Sequence, residues 1–123
     1  MDNDLGVRIV LLVVMVAAGI LILWTARAAA TGRLKRNPLA GIRIPSTTAG
    51  DDAWLAAHVR ARRATTCAGI SSVASGLVAL LPLPAPLLAV AVLAGCGAML
   101  GFALYGARVG RRAAEQVSRR SDD

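Results

Sequence analysis

Aromatic residues are scarce in this sequence: they make up 3% of its 123 residues, whereas 56% of the residues are hydrophobic. Soluble domains rely on large aromatic side chains to fill and stabilise their cores. Here Ala, Val, Leu and Gly supply most of the apolar content, and small residues let helices approach closely within a lipid bilayer. The composition therefore favours a membrane protein over a soluble domain.

Cysteine, histidine and intramembrane acid are also sparse. The two cysteines, Cys67 and Cys96, show no CxxC or Cys/His spacing, which disfavours a structural zinc site. We interpret both as small packing residues. No Asp or Glu lies within a long apolar run, which disfavours a proton-coupled transporter or an ion pump. The sequence thus predicts no metal ligands and no cofactor.

Three long apolar runs predict three transmembrane helices, at about residues 8–27, 64–81 and 86–107. Prolines between the second and third runs break any helix there, so these two spans should form a hairpin with a short turn. The predicted fold class is all-α, with residues 1–123 forming one membrane domain. Acidic residues near the N-terminus disfavour a cleaved signal peptide, although the small residues at 26–30 would permit cleavage.

The positions of the charges predict the orientation of the chain. The formal net charge is +7, and all of the 14 basic residues except Arg8 lie in or beside the loop 28–63 or in the tail 108–123. Short basic segments stay in the cytoplasm, where anionic headgroups attract them. We therefore expect the loop and the C-terminus inside, and the N-terminus and the proline turn outside. This placement explains the high pI without nucleic acid.

Small residues at four-residue spacing predict how the helices pack. The second span carries Ala68, Ser72 and Gly76, and the third carries the GxxxG pair Gly97 and Gly101. Because the connecting turn is short, the two spans should be antiparallel neighbours whose small faces meet. A homodimer face or contact with a larger membrane partner are the alternatives.

The polar loop carries signals for a helix of its own. Thr48, with Asp51 three residues later, resembles a capping box. Asp51 and Asp52 suit the positive end of a helix dipole. The pattern predicts a short interfacial helix from about Ala49 to Arg62, docked beside the spans.

The same loop contains the only histidine. Trp54 and His58 would share one face of the predicted helix. Catalysis would require a nucleophile or substrate pocket, and a metal site would require more ligands than His58. We therefore favour a Trp54–His58 stack that holds the helix to the bundle, with Arg43 bonding carbonyl groups or a phosphate. Gly41 can adopt a positive φ or allow a close approach of other groups to its backbone, and Pro45 stops any helix there. A recognition surface for a partner protein is the alternative.

These residues resemble the signature of the SdpI family of bacterial membrane proteins. The resemblance extends over roughly residues 34–105 and includes the order of one span, the motif and a two-span hairpin. Ile44, Ser46 and Ala49 depart from the usual pattern, and the chain is shorter than the founding type. The matching positions are Asn37, Gly41, Ile42, Arg43, Pro45, Thr47, Asp51, Asp52, Trp54 and His58.

The resemblance implies a location in the bacterial cytoplasmic membrane and a role in binding rather than catalysis. The founding type protects its producer against a secreted killing peptide and sequesters a cytoplasmic repressor. The implied function is immunity to a membrane-active toxin peptide, or signalling by protein–protein contact. A structural or accessory subunit of a larger membrane complex is the alternative. The expected partners are the lipid bilayer and a toxin peptide, a cytoplasmic regulator or such a complex, with a homo-oligomer also open.

Overall fold

The computed structural model describes residues 2–37 and 39–122. Four helices make up its regular structure: α1 (Asp2–Ala30), α2 (Pro45–Thr48), α3 (Asp51–Val78) and α4 (Ala85–Asp122). No strand occurs among the described residues. The all-α prediction is therefore confirmed.

Two helices are long and apolar enough to cross a membrane: α1 over Asp4–Ala30 and α4 over Ala85–Arg120. Only 17% and 11% of their most apolar stretches are buried within the chain. Such exposure suits lipid contact and is the opposite of what the core helix of a soluble domain shows. The first and third predicted spans thus coincide with candidate membrane-spanning helices, whereas α3 is not apolar enough to meet the same criterion.

The lower hydropathy of α3 follows from its central position. Its backbone packs against both α1 and α4, while the backbones of α1 and α4 do not approach each other. Except for Trp54 and His58, every buried residue of α3 is Ala, Gly or Ser. Such residues allow close helix packing, and they face the neighbouring helices.

The predicted interfacial helix and the predicted second span form one helix, which corrects the expected boundary near residue 63. Arg62 and Arg63 lie directly before the apolar run and limit it on that side. Arginine is nevertheless a good helix former and does not interrupt the backbone hydrogen bonds. No proline lies between Asp51 and Val78. The same reasoning applies to α4, which continues without a break from the third apolar run through the basic tail.

The predicted N-cap at Thr48 is wrong. Thr48 ends α2, and its hydroxyl donates to the Ile44 carbonyl at 3.0 Å. The N-cap of α3 is Gly50, which has no side chain to bond the first turn. Asp51 and Asp52 do occupy the first turn of α3, as expected.

The ridge of small residues on α3 faces α1. The Ser72 hydroxyl donates to the Met15 carbonyl of α1 at 2.7 Å and is fully buried. A Cβ at Gly76 would lie 2.9 Å from a methyl carbon of Val16, and one at Gly19 would lie 2.7 Å from the Gly69 carbonyl oxygen. Side chains at either glycine would force the two helices apart.

The GxxxG pair of α4 does not face α3. A Cβ at Gly97 or at Gly101 would have no atom within 4 Å beyond the helix's own neighbouring backbone. Instead, α4 meets α3 at Gly106 and Gly110, and a Cβ at Gly110 would lie 3.0 Å from the Ala57 carbonyl oxygen. Because glycines occur on more than one face of α4, their spacing alone did not identify the contacting face.

Arg8 links α1 to the turn between α3 and α4. Its guanidinium donates to the carbonyls of Ala79, Leu81 and Leu83, and it also pairs with Asp4 at 3.1 Å. These carbonyls belong to the end of α3 and the proline turn, where no helical amide can bond them. The sequence alone did not predict this tie between α1 and the turn.

Candidate functional site

The polar segment between α1 and α3 is a folded loop whose first turn is built by Asn37. The Asn37 side-chain oxygen accepts hydrogen bonds from the Leu39 and Ala40 amides at 2.9 and 2.8 Å. Its amide nitrogen donates to the Lys35 carbonyl at 2.7 Å. An asparagine that bonds the backbone two and three residues ahead directs the chain into a turn.

Gly41 lies directly against the Trp54 and His58 rings. Its φ is +96°, a conformation that other residues rarely adopt. A Cβ here would lie 2.7 Å from His58 Nε2 and 2.8 Å from Trp54 Cη2. Both properties that the sequence suggested for this glycine, the positive φ and the close approach, are therefore present together.

Trp54 and His58 form the expected ring pair, with centroids 4.2 Å apart and planes tilted by 36°. Both residues are buried, at 3% and 4% exposure. Trp54 Nε1 donates to the Leu34 carbonyl at 3.0 Å, which ties the start of the loop to α3. The pair thus fixes the loop to the helix rather than projecting into solvent.

The partners of His58 determine its tautomer. The Ile42 amide donates to Nε2 at 2.9 Å, so Nε2 must offer a lone pair. Nδ1 lies 2.8 Å from the Trp54 carbonyl, which can only accept, so Nδ1 must carry the proton. The ring is therefore neutral, with the proton on Nδ1.

Burial lowers the pKa of His58 below its ordinary value of 6.5, because desolvation penalises the charged imidazolium. The hydrogen bond to the Trp54 carbonyl acts in the opposite direction and is the smaller effect. The Ile42 amide also opposes a second ring proton, since it occupies Nε2 as a donor. The site is thus adapted to a neutral histidine at physiological pH.

Thr47 closes the loop from the other side and is fully buried. Its hydroxyl accepts from the Ile44 amide at 3.1 Å and donates to the Ile42 carbonyl at 2.6 Å. Ile42 is therefore held at both backbone groups, by His58 at its amide and by Thr47 at its carbonyl. Pro45 was expected to stop a helix but begins α2 instead, because its lack of an amide proton has no cost at the first helical position.

The charged members of the motif lie on the surface. Arg43, Asp51 and Asp52 are exposed. Asp51 lies 3.7 Å from Arg36, whose guanidinium also donates to the Thr48 carbonyl at 3.0 Å. The motif therefore separates into buried residues that shape the loop and exposed charges that surround it.

A cavity beneath the loop was not predicted from the sequence. Its volume is about 300 Å³. Leu21 and Ile22 of α1, Ala68 of α3 and Ala103 of α4 line it, and residues 39–42 together with His58 form its roof. Because the backbones of α1 and α4 do not approach each other, a space remains between them, and residues 39–42 of the folded loop line it at one end. A cavity of this kind cannot be predicted from a local motif, because its walls come from three separate helices.

The donor atoms of the site are already engaged by the backbone. Among the residues that the structure describes, no group of three His, Cys, Asp or Glu side chains lies close enough together to hold a metal ion. The ring nitrogens of His58 and the hydroxyl of Thr47 are bonded within the loop. What the site offers a ligand is a largely apolar cavity.

Comparison with known proteins identifies a family but no individual relative. A model of the SdpI/YfhL protein family matches residues 33–106. The matched region contains the loop, α2, α3 and the first part of α4. No curated protein and no solved structure shows significant similarity to the chain.

The neutral His58 predicts that the folded chain becomes less stable in mild acid. Because the pKa is lowered in the folded state, the contribution is fully present above about pH 6.5 and declines as the pH falls toward the folded pKa. The loss is up to about 1.4 kcal/mol for each unit by which the pKa is lowered. Thermal unfolding of the detergent-solubilised protein between about pH 7.5 and pH 5, above the usual range of carboxylates, measures it.

The matched control is His58→Gln, which retains a polar side chain but does not titrate. Its unfolding midpoint should change less with pH over the same interval than that of the wild type. Equal pH dependence in the two proteins would mean that another group causes the loss of stability.

Proposed function

We propose a binding function for this chain, which belongs to the SdpI/YfhL protein family. Family membership and the two apolar helices indicate a membrane protein. The proposed role is SdpI-like immunity to a membrane-active toxin peptide, signalling by protein–protein contact, or both, without enzyme activity. The observation that carries the proposal is the apolar cavity roofed by the motif loop.

The arrangement of the motif supports binding over catalysis. The buried polar groups of His58 and Thr47 hold Ile42 in place, and Gly41 admits the loop against the rings. A general base needs access to the proton that it removes, whereas both His58 nitrogens are used by backbone groups. The motif thus builds a surface and a cavity, and the ligand contacts that surface.

The proposal includes three spans in the bacterial cytoplasmic membrane. Packing of α3 between two apolar helices supports its membrane position, because its neighbours shield its hydroxyls and glycines from lipid. The basic residues at the loop end support an inner location for the loop and the C-terminal part of α4. The N-terminus and the turn after Val78 then lie outside.

Cysteine labelling tests this topology in a background with Cys67→Ala and Cys96→Ala. Leu39→Cys places a thiol in the loop, where Leu39 is 86% exposed, and Pro82→Cys places one in the exposed turn. With intact cells, a membrane-impermeant maleimide should label the turn variant at once and the loop variant only after lysis. Labelling of both from the same side would contradict a membrane-crossing α3, because α3 alone separates the two positions.

The size and lining of the cavity suit an apolar segment of a peptide. Its volume is at the lower end of the range for ligand pockets, about 300–1,000 Å³. It lies between α1 and α4, whose backbones do not approach each other, so a membrane-embedded ligand can enter from between the helices. The peptide proposed to occupy it would insert apolar side chains below residues 39–42.

Filling the cavity tests the proposed immunity function. Ala103 lines the cavity from α4, so Ala103→Phe should block it without touching the hydrogen bonds of the loop. Ala98 is exposed on the same helix and outside the cavity, which makes Ala98→Phe the matched control. Each variant is expressed in a strain lacking the chain, and survival is measured against a panel of secreted membrane-active peptides.

We expect the deletion strain to be sensitive to at least one peptide, the Ala98→Phe strain to survive like the wild type, and the Ala103→Phe strain to die like the deletion. Membrane levels of both variants should equal that of the wild type. Protection by Ala103→Phe at the wild-type level would show that the cavity does not bind the peptide. A deletion strain that resists the whole panel would contradict the immunity function.

A second proposal, a subunit of a larger membrane complex, is favoured by one observation. The face of α4 that carries Gly97 and Gly101 is exposed and has open space beside both glycines. Small residues on an exposed face permit close contact with a helix of another chain. Co-purification of a stoichiometric membrane partner in mild detergent, lost in Gly97→Leu, would favour this function.

A further inference from the structure

A basic groove runs between the first half of α3 and the last half of α4, away from the motif cavity. Two adjoining cavities of about 830 and about 450 Å³ form it. They share Arg60, Ala113 and Gln116, so they are parts of one continuous depression. Neither the structure of the motif loop nor the apolar spans explain why this groove is present.

Arginines dominate the walls of the groove. Asp52 is the single acidic residue of its lining. Among the described residues, none of the ion pairs within the chain involves these arginines. The lining therefore carries five arginines against one acidic residue, which gives the groove a net positive charge. The arginines are Arg60, Arg62 and Arg63 of α3 and Arg112 and Arg120 of α4.

The floor of the groove is apolar. Leu55 and Val59 of α3 are 41% and 54% exposed, and Ala56 and Ala113 lie beside them. The lining positions recur at intervals of three and four residues on both helices, which makes two parallel stripes. On α3 they are residues 52, 55, 56, 59, 60, 62 and 63, and on α4 they are residues 109, 112, 113, 116, 117 and 120.

The direction of the groove decides between lipid and protein as its occupant. Arg63 adjoins the apolar run of α3, whereas Asp52 lies eleven residues earlier, roughly 16 Å farther along the helix axis. Lipid headgroups reach the arginines nearest the membrane but not exposed apolar side chains such as Leu55, well beyond the hydrocarbon. A second copy of the chain would present the same positive charge and be repelled.

We propose that this groove binds an amphipathic helix of a cytoplasmic partner, with apolar side chains on Leu55 and Val59 and acidic side chains on the arginines. A helix laid into a groove between two helices is a common mode of peptide recognition. Complementary charge would orient it and speed its association. This inference rests on the proposed function by protein contact and names the chemistry of the cytoplasmic partner.

A designed peptide tests the groove in the full-length protein, reconstituted in phosphatidylcholine nanodiscs. The probe is a fluorescent amphipathic helix about five turns long, with Leu on one face and Glu on the other. The comparator carries Lys in place of Glu. Fluorescence anisotropy measures the dissociation constant of each peptide. Both faces of a nanodisc are accessible, so the result does not depend on membrane orientation or on toxin immunity.

Charge reversal locates the binding site. Arg60→Glu combined with Arg112→Glu changes the groove, and Arg33→Glu combined with Arg119→Glu makes the same change in net charge outside it. We expect the groove pair to weaken binding of the Glu peptide at least about tenfold, because close complementary charges become repulsive. The control pair should change it less than about threefold, and the Lys peptide should bind poorly to the wild-type protein.

Two outcomes overturn the inference. Equal weakening by both pairs of reversals would assign binding to diffuse charge rather than to the groove. If the groove pair loses co-purified phosphatidylglycerol in native mass spectrometry, while the Glu peptide still binds normally, the groove is a lipid site. The anisotropy and native mass spectrometry measurements can be interpreted even if the immunity or topology experiments fail. The proposed function and the proposal for the groove can therefore fail separately.

Discussion

The hydrogen bond from the Ile42 amide to His58 Nε2 is the constraint on which the loop depends. It fixes the ring as a neutral acceptor, and the opposite nitrogen then bonds the helix backbone at the Trp54 carbonyl. Gly41 must precede Ile42, because any side chain there would strike both rings. Thr47 secures the carbonyl of the same residue from the other side. The position of the residues that roof the cavity thus depends on a set of contacts in which the His58 imidazole is central.

The central position of α3 links this loop to the bundle. Its first half holds the rings and one wall of the basic groove, and its second half packs small residues against α1. At the far end, Arg8 donates to carbonyls at the end of α3 and in the proline turn. One continuous helix therefore joins the apolar part of the chain to its charged end.

Local chemistry made part of this structure predictable. Gly41, the Trp54–His58 pair and the apolar runs of α1 and α4 depend on short-range rules of φ, helical spacing and hydropathy. The sequence reasoning failed where the outcome depended on three dimensions. Hydropathy placed the start of the second span at residue 64, although the helix already begins at Asp51. Glycines lie on more than one face of α4, so their spacing did not identify the face that contacts α3. The cavity and the basic groove were not predicted, because each requires residues of separate helices to come together.

The central claim is that a neutral His58 holds the loop through the Ile42 amide. Because the chain has only one histidine, ¹⁵N NMR of the histidine-labelled protein at neutral pH reports this ring without ambiguity. We predict a single tautomer with the proton on Nδ1 and, with the Ile42 amide also labelled, a coupling across the hydrogen bond to Nε2. A proton on Nε2, or rapid exchange between the two tautomers, would contradict the account.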